Sequence, residues 1–421
     1  MIEQRPSRTA ARWDRVDEYG LLFVLVASTA PLAMSGLSWL LFGGRTWVFG
    51  LAAAVVTCAL AAGVVLRRGG NLPMRWVLIG AAATGAAVIW SLIGIAHHGV
   101  AQTFTGLRLI LIPVAIAVIV ASLAPAAVAR LLTALSWMIV ANAVAGVAEV
   151  LIGPATLVRW GFSPEHNVRH IDGVFRVPGL TEFNAELGLL AGAYLLGYLA
   201  CWLTPKVRPR AVLWHVAAAA AVLCLALSTS RSGALLVVAG LTGALVLPHA
   251  RSRGRRVLAI ALAGLIGLGV AALFVVIGAG GTSSLFERFA VWGELLATVP
   301  LAGDGIGSAG GATYSRVASS PPRFVDNYYL NVGLQFGPVV MVLLVGATVF
   351  ALVRLVRASA RRPELVMPIA LLTGLAGASL TLDSWEFKSA MLTLLLFGYH
   401  GLRPAPASSW PVPARSRPAP P

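Results

Sequence analysis

Long apolar stretches alternate with short polar stretches along most of this chain. A helix needs about 20 mostly apolar residues to cross the roughly 30 Å of hydrocarbon in a bilayer. About twelve stretches meet this requirement, near residues 20–42, 46–66, 74–96, 107–122, 130–152, 184–203, 211–228, 233–248, 257–279, 328–352, 365–382 and 388–402. The pattern predicts an all-α integral membrane protein with about twelve transmembrane helices.

The overall composition agrees with this pattern. Of the 421 residues, 58% are hydrophobic and 11% are charged, and the mean hydropathy is +0.83. Soluble domains carry about 25% charged residues. We therefore expect a single polytopic membrane domain over residues 1–402. Residues 403–421, rich in Pro, Ala and Ser, are predicted to be a disordered cytoplasmic tail.

The basic residues predict an orientation, because short cytoplasmic loops of membrane proteins collect Lys and Arg. With the N-terminus in the cytoplasm, the cytoplasmic segments hold 22 of the 32 basic residues. These clusters lie within residues 5–15, 67–75, 130, 206–210, 251–256, 354–362 and 403–417. The net charge of +16 then reflects topology and attraction to anionic lipid, with no need for nucleic acid. We expect a multi-pass protein of the inner or plasma membrane with both termini cytoplasmic.

Two outer segments, near residues 153–184 and 280–327, are too long to be simple turns and are predicted to carry the chemistry. The second should begin with an amphipathic helix, because Ser284 and Glu287 form a capping box and an apolar face that includes Trp292 continues to Pro300. Such a helix is expected to lie flat among the lipid headgroups, with Arg288 near phosphates. The alternative is that Arg288 is a snorkelling interfacial arginine.

Arg231 interrupts an apolar run at the outer end of the eighth predicted span. Ser228, Thr229 and Ser230 offer an N-cap, which places Arg231 in the first turn of a helix. A helix N-terminus presents free N–H groups and the positive end of the helix dipole, and Arg matches phosphate oxygens in pairs. Arg231 and Arg288 are therefore predicted to bind one diphosphate together. For Arg231 the alternative is a solvated loop charge.

Several segments resemble, in order and spacing, the motifs of the O-antigen ligase and polymerase superfamily. They are Arg176–Asn184, Leu227–Gly233, Arg288–Trp292, Pro300–Gly307 and Asp326–Leu330 followed by Gly337. The resemblance covers about residues 170–345. It implies a GT-C-type glycosyltransferase that acts at the extracytoplasmic face and moves a glycan from a polyprenyl diphosphate carrier to an acceptor hydroxyl. It also implies that Arg231 and Arg288 are the diphosphate ligands.

One position departs from the ligase motif. The ligases carry a His where this chain has Asp326, although Asn327 and Gly337 fit the ligase spacing. An Asp-Asn pair looks more like the polymerase-type members. The chain is therefore expected to join repeat units of a surface polysaccharide. The alternatives are ligase-type transfer of a finished glycan to a separate acceptor and, in a different class, a transporter or flippase of a lipid-linked anionic glycan.

The remaining site residues follow from position in the outer segments. Asp326 is the leading candidate for the base that accepts the acceptor's proton, although Asp-Asn also makes an ordinary helix cap. The competing candidates are Glu182, Glu186, Glu294, Asp304 and the loop histidines His97 and His98. The residues expected to contact substrate besides the two arginines are Arg108, Arg176, Glu182, Asn327 and Tyr328.

No cofactor is expected. The predicted outer surface contains no D-x-D pair, and a fixed pair of arginines can stabilise the leaving diphosphate in place of a metal ion. His166 and His170 have metal-ligand spacing but lack a firm third ligand. The glycines of residues 303–311 could form an anion-binding nest, but a turn that brings the loop back over the site is the favoured interpretation.

Overall fold

The computed structural model describes residues 36, 55–65, 74–163, 167–171, 173–204, 207–248, 291–295, 297–314, 318–319 and 325–402. These residues are mostly helical. The predicted spans near 20–42 and 257–279, the capping box at 284–287, Arg288, His166 and the tail 403–421 lie outside the described residues.

The described helices are numbered in chain order. They are α1 (Val55–Val65), α2 (Met74–Ser122), α3 (Pro125–Ile152), α4 (Pro154–Arg159), α5 (Asn184–Leu203), α6 (Val212–Ser228), α7 (Arg231–Val246), α8 (Tyr328–Phe336), α9 (Pro338–Ser359), α10 (Val366–Ala378) and α11 (Lys388–Leu402). Short 3₁₀ helices lie at Gly310–Tyr314, Pro363–Leu365 and Ser384–Glu386. Two strands, β1 (Arg169–Ile171) and β2 (Val174–Arg176), form an antiparallel pair.

Four of the described helices, α2, α3, α5 and α9, are long and apolar enough to cross a bilayer, and α1, α6, α7 and α10 are shorter apolar helices. Helix α9 is the clearest case, because none of its most apolar window is buried inside the protein although the mean hydropathy there is 2.6. An apolar surface of this size is unfavourable in water. The helices therefore indicate a lipid bilayer environment, and the count of twelve spans stays a prediction.

Glycines mark two breaks between helices. The predicted spans 74–96 and 107–122 are two helices that meet at a kink at Gly99 (φ 78°, ψ 167°), and together they form α2. His97 and His98, which the sequence predicts in a loop, are helical just before this kink. The predicted span 328–352 is two helices, because Gly337 (φ 88°) ends α8 and Pro338 begins α9.

The first outer segment is also more structured than the sequence indicates. It contains the short helix α4 and the β1–β2 pair, in which Arg169 lies opposite Arg176. The all-α expectation is therefore wrong in this one place. Two three-residue strands carry little hydrophobic signal, so the period-2 pattern that predicts longer strands is missing here.

The apolar core runs through α2, α3, α5 and α11, with α5 at its centre. Tyr194 of α5 is fully buried, with its hydroxyl 2.6 Å from the Ser136 hydroxyl of α3. Its ring packs edge-on against Phe397 of α11, with centroids 5.5 Å apart. A buried tyrosine hydroxyl needs such a partner, and this pair fixes the register between α3 and α5.

Glycines set the distances between α5, α7 and α10. A Cβ on Gly188 of α5 would lie 2.0 Å from the Ser230 Cβ, and a Cβ on Gly233 of α7 would lie 2.2 Å from the Gly188 carbonyl oxygen. On the other side of α7, a Cβ on Gly243 would lie 2.1 Å from the Thr373 hydroxyl. Membrane helices use small residues in this way to bring backbones together. Helix α7, which starts at Arg231, is therefore held tightly between α5 and α10.

Residues 301–308, which we call the glycine strap, pack between α2 and α8. Gly303, Gly305 and Gly307 adopt φ angles of 72°, 88° and 93°, which glycine enters without strain. The N–H groups of the strap donate to the protein itself; Ile306 N, for example, donates to Trp90 O at 3.0 Å. This arrangement favours the turn interpretation of the glycines over the anion nest.

The predicted amphipathic helix is helical in its described part, residues 291–295 and 297–298. Glu294 is exposed. The partly buried Trp292, Leu295 and Val299 pack against a buried cluster, which consists of Ala309, Val325, Leu330 and Leu334. The apolar face of this helix therefore contacts protein through these residues, and its expected position among the lipid headgroups stays a prediction.

Because α5 and α7 are in close contact, a side chain added between them should destabilise the protein. Gly188→Ala should force the two helices apart and destabilise the protein by about 1–3 kcal/mol, because the new methyl group would overlap Ser230. The matched control is Gly346→Ala in α9, where a Cβ meets nothing within 4 Å. Thermal unfolding midpoints of both variants in the same detergent would test this. Equal midpoints for the two variants would contradict it.

Candidate functional site

Six helix ends meet at one end of the molecule, which we call the convergent end. They are the start of α5, the end of α6, the starts of α7, α8 and α11, and the end of α10. Hydrogen bonds join them: Asn184 Nδ2 donates to Ser228 O at 3.2 Å, and Tyr328 N donates to Ser379 O at 2.8 Å. Because helix ends leave backbone groups unsatisfied, polar side chains concentrate here.

Arg231 is the first residue of α7 and lies at the convergent end. Ser230 caps the helix, with its hydroxyl accepting from Gly233 N at 3.3 Å. Both features were predicted from the sequence. The neighbouring Ser232 bonds to Thr381, with the two hydroxyl oxygens 3.1 Å apart. This contact places the start of α7 beside the loop that joins α10 to α11.

Arg176 donates hydrogen bonds to the turn that precedes Arg231. Its Nε donates to Thr229 Oγ1 at 2.8 Å, and its Nη2 donates to Thr229 O at 2.9 Å. Thr229 is in the left-handed conformation (φ 48°), which a residue with a branched Cβ adopts only under strain. The fork of Arg176 therefore holds a strained turn. The predicted role of Arg176 in substrate binding gains a structural alternative.

A buried carboxylate in α3 holds the next segment of the site. Glu149 Oε2 accepts from Gly179 N at 2.9 Å, and Asn142 Oδ1 accepts from Leu180 N at 3.0 Å. Both side chains are buried. Sequence reasoning missed Glu149, although an isolated acid in the apolar stretch of α3 is a signal for a functional or structural partner. Together these bonds fix the backbone that leads to Glu182.

Charged groups of α2, α5 and α11 form the first of two clusters at the convergent end. Arg108 of α2 interacts electrostatically with Glu182, and Lys388 at the start of α11 interacts with Arg108, Glu182 and Glu186. Glu186 Oε1 also accepts from the Ser389 hydroxyl at 3.4 Å. The structure thus brings two predicted substrate residues, Arg108 and Glu182, to one place. Lys388 was not anticipated.

The second cluster lies in the loop between α10 and α11. Glu386 Oε2 accepts from Gly311 N at 2.7 Å, and Oε1 accepts from Asn331 Nδ2 at 3.1 Å. Asp383, three residues earlier, interacts with both Glu386 and Asn331. Sequence reasoning did not single out this loop, although two acids and a lysine within residues 383–388, between two apolar stretches, are an available signal.

Burial raises the pKa of both carboxyl groups in this loop. The pKa of Glu386 rises to about 7, because burial outweighs the donors Gly311 N–H, Asn331 and the nearby Lys388, which favour the ionised form. The pKa of Asp383 is raised well above its usual range by burial and then by the charge of Glu386. The two groups lie close enough to titrate together.

The three residues that the sequence places at the start of α8 have different environments. Asp326 is partly exposed and close enough to Asp383 for their charges to interact. Asn327 is the N-cap of α8, with Oδ1 accepting from Tyr329 N at 3.0 Å and Leu330 N at 3.2 Å. Tyr328 interacts with Asp383 and Glu386, and its ring stacks on Trp385 with centroids 6.4 Å apart.

The remaining candidate bases lie apart from this arrangement or are used by the fold. Glu294 and His97 are exposed. His98 Nε2 lies 3.2 Å from Asp304 O, which ties α2 to the glycine strap. Arg288 lies outside the described residues, so the predicted Arg231–Arg288 pair is not visible as a pair.

Comparison with known proteins adds no assignment: no family model, no curated protein and no solved structure matches this chain. Arg231 at a capped helix start can bind an anionic group. Glu386, whose pKa is raised to about 7, can exchange a proton near neutral pH.

The bonds of Arg176 predict that it acts on folding stability. Arg176→Ala should lower the free energy of unfolding by about 1.5–3 kcal/mol, the range for hydrogen bonds to a charged group. Arg176→Lys should restore only part of this loss, because lysine lacks the two-pronged guanidinium group. The control is Arg159→Ala, since Arg159 is exposed and bonds to Thr156 of its own turn. An unchanged unfolding midpoint, together with a raised KM for donor, would instead favour a substrate contact.

Proposed function

We propose that this protein is a GT-C-type membrane glycosyltransferase that joins glycan units carried on a polyprenyl diphosphate at the extracytoplasmic face. The proposal rests mainly on one observation: Arg231 begins a capped helix beside a loop in which burial raises the pKa of Glu386 to about 7. An anion-binding helix start and a proton acceptor are the two elements that displacement of a diphosphate by a hydroxyl requires. The resemblance of the motifs supports the same activity.

In the proposed reaction Arg231 and Arg288 bind the diphosphate of the donor. Their positive charges stabilise the negative charge that grows on the leaving diphosphate as its bond to the anomeric carbon breaks. The N-terminus of α7 adds its dipole and free N–H groups at the same place. The hydroxyl of the acceptor glycan attacks the anomeric carbon and passes its proton to a carboxylate of the convergent end. We expect no metal ion to be required.

The distribution of charge supports the extracytoplasmic face. The end of the helices opposite to the convergent end carries Arg130 at the start of α3, Arg208 and Arg210 before α6, and residues 354–362 at the end of α9. Basic residues concentrate on the cytoplasmic side of membrane proteins, so the convergent end is proposed to face outward. The lipid-linked donor would then approach from the outer leaflet.

The depth of the charges favours transfer over transport. Within the described parts of α2, α3 and α5, the charged residues other than Arg75 and Arg130 near the starts of α2 and α3 are Arg108, Glu149 and Glu186, and all three lie nearer the convergent end. A transporter is expected to bind its substrate near the midplane between moving helices. A reaction site at the headgroup level fits these positions better.

The test is to incubate the purified protein in liposomes with lipid-linked repeat units alone. We expect a ladder of lengthened lipid-linked products, also in the presence of EDTA. Arg231→Ala should lower the rate by about 10²- to 10³-fold, as does loss of one group that stabilises transition-state charge. Arg231→Lys should recover little of this, because a point charge does not replace the planar fork.

The control is Arg210→Ala, an exposed arginine at the opposite end, which should leave the ladder unchanged. Product that forms only after addition of a separate acceptor would indicate the ligase reaction. Movement of intact lipid-linked units across the liposome without any new glycosidic bond would indicate a transporter and refute the proposal. Wild-type rates for Arg231→Ala would refute the diphosphate site.

A further inference from the structure

The carboxyl group of Glu386 is fixed from two sides by elements distant in sequence. The backbone N–H of Gly311 lies 75 residues away along the chain, and Asn331 lies 55 residues away. Gly310 permits this approach, because a Cβ there would lie 2.4 Å from Glu386 Oε1, and its φ of 71° suits glycine. A carboxylate has about four lone-pair sites, so two remain for a further partner.

Asp383 has an unmet acceptor in the same place. Its Oδ1 is buried and has no hydrogen-bond partner within the described part of the chain. A buried polar atom without a partner costs about 1–3 kcal/mol, and such atoms occur where a ligand supplies the missing bond. Asp383 and Glu386 are joined by one turn, in which Glu386 N donates to Asp383 O at 2.9 Å.

Two aromatic rings lie beside the pair. Tyr328 and Trp385 stack beside it, and Trp385 Nε1 donates to Ile110 O at 3.5 Å, which anchors the loop to α2. Aromatic rings with nearby hydrogen-bonding groups are the usual lining of a small-molecule site. The charged groups that interact with the pair are Asp326 before α8 and Lys388 of α11. Lys388 in turn interacts with Arg108 of α2 and with Glu182 and Glu186 beside and in α5.

We propose that the Asp383–Glu386 pair, and not Asp326, accepts the proton of the acceptor hydroxyl. The proposal rests on the proposed function and deepens it. The O–H bond of the acceptor breaks and its proton passes to the ionised member of the pair. The oxygen forms a bond to the anomeric carbon, whose bond to the diphosphate oxygen breaks with its electron pair. The polyprenyl diphosphate then leaves as an anion bound at Arg231.

Two carboxyl groups that share a site favour holding one proton between them, since the second charge is unfavourable beside the first. The ionised member is then a base matched to neutral pH, and the protonated member can donate a hydrogen bond to the incoming oxygen. Asp326 lies near the pair as a third acid. Its negative charge favours the protonated form of Asp383 and so helps the pair to keep its proton.

The experiment measures transfer rate against pH for the wild type and the variants Asp383→Asn, Glu386→Gln and Asp326→Asn. The wild-type rate should fall as the pH drops below about 7, the pKa of Glu386, because the pair then takes up a second proton. The transfer rates of Asp383→Asn and Glu386→Gln should fall by about 10²- to 10⁴-fold, the usual contribution of a general base. Their remaining activity should no longer show this decrease at low pH, which we call the acid limb. Asp326→Asn should keep both the limb and most of the rate.

Binding of a polyprenyl diphosphate without glycan separates the two proposals. Asp383→Asn and Glu386→Gln should bind this probe as the wild type does, whereas Arg231→Ala should not. Glu364→Gln, a carboxylate at the opposite end that pairs with Arg362 at 3.6 Å, is the matched control and should behave as wild type. If the amide variants fail to fold, Asp383→Glu and Glu386→Asp, which keep the carboxyl groups, should fold and retain the acid limb with a reduced rate.

The outcomes are distinct. Wild-type rate and pH profile in Asp383→Asn and Glu386→Gln, or loss of transfer confined to Asp326→Asn, would overturn the base while leaving the transferase intact. Loss of the acid limb in the carboxyl-keeping variants would also overturn it. No transfer by the wild-type protein from any lipid-linked donor would overturn the proposed function, and the assignment of the base with it.

Discussion

The arrangement of the convergent end depends on how closely α5 and α7 approach. Gly188 and Gly233 leave no room for a side chain between the two helices, so the turn before Arg231 is pressed against the start of α5. The same turn is held from the other side by Arg176. In a membrane, where lipid is as apolar as a leucine side chain, such backbone contact supplies the packing that burial supplies in water. The position of Arg231 is therefore a consequence of glycine spacing.

This constraint determines which charges can face each other. With α7 fixed between α5 and α10, Ser232 meets Thr381, and the α10–α11 loop is brought over the start of α8. Asn331 then reaches Glu386, and Gly311 of the 3₁₀ helix reaches the same carboxylate. Each of these contacts satisfies a polar group that would otherwise be buried alone. The polar end and the glycine-packed middle thus depend on each other.

Local features of the site could be predicted from the sequence, whereas its long-range pairs could not. The Ser230 cap and the place of Arg231 in the first turn follow from neighbouring residues, and the capping role of Asn327 was one of the alternatives weighed. The partner of Arg176 lies 53 residues away and that of Gly311 75 residues away. Neither separation leaves a pattern in a single sequence. The break between the predicted spans 74–96 and 107–122 falls at Gly99, although the residues predicted as a loop there are helical on both sides of it.

The surroundings of the acids at the convergent end control their charge more strongly than the surroundings of the arginines do. An arginine near a helix end stays charged almost regardless of its surroundings. A carboxyl group held among apolar helices keeps its charge only if donors offset the loss of water. Glu386 has such donors in Gly311 N–H and Asn331, and Asp383 Oδ1 has none in the described residues. The unmet acceptor of Asp383 beside the well-bonded carboxyl group of Glu386 is the feature that makes this pair the proposed proton acceptor.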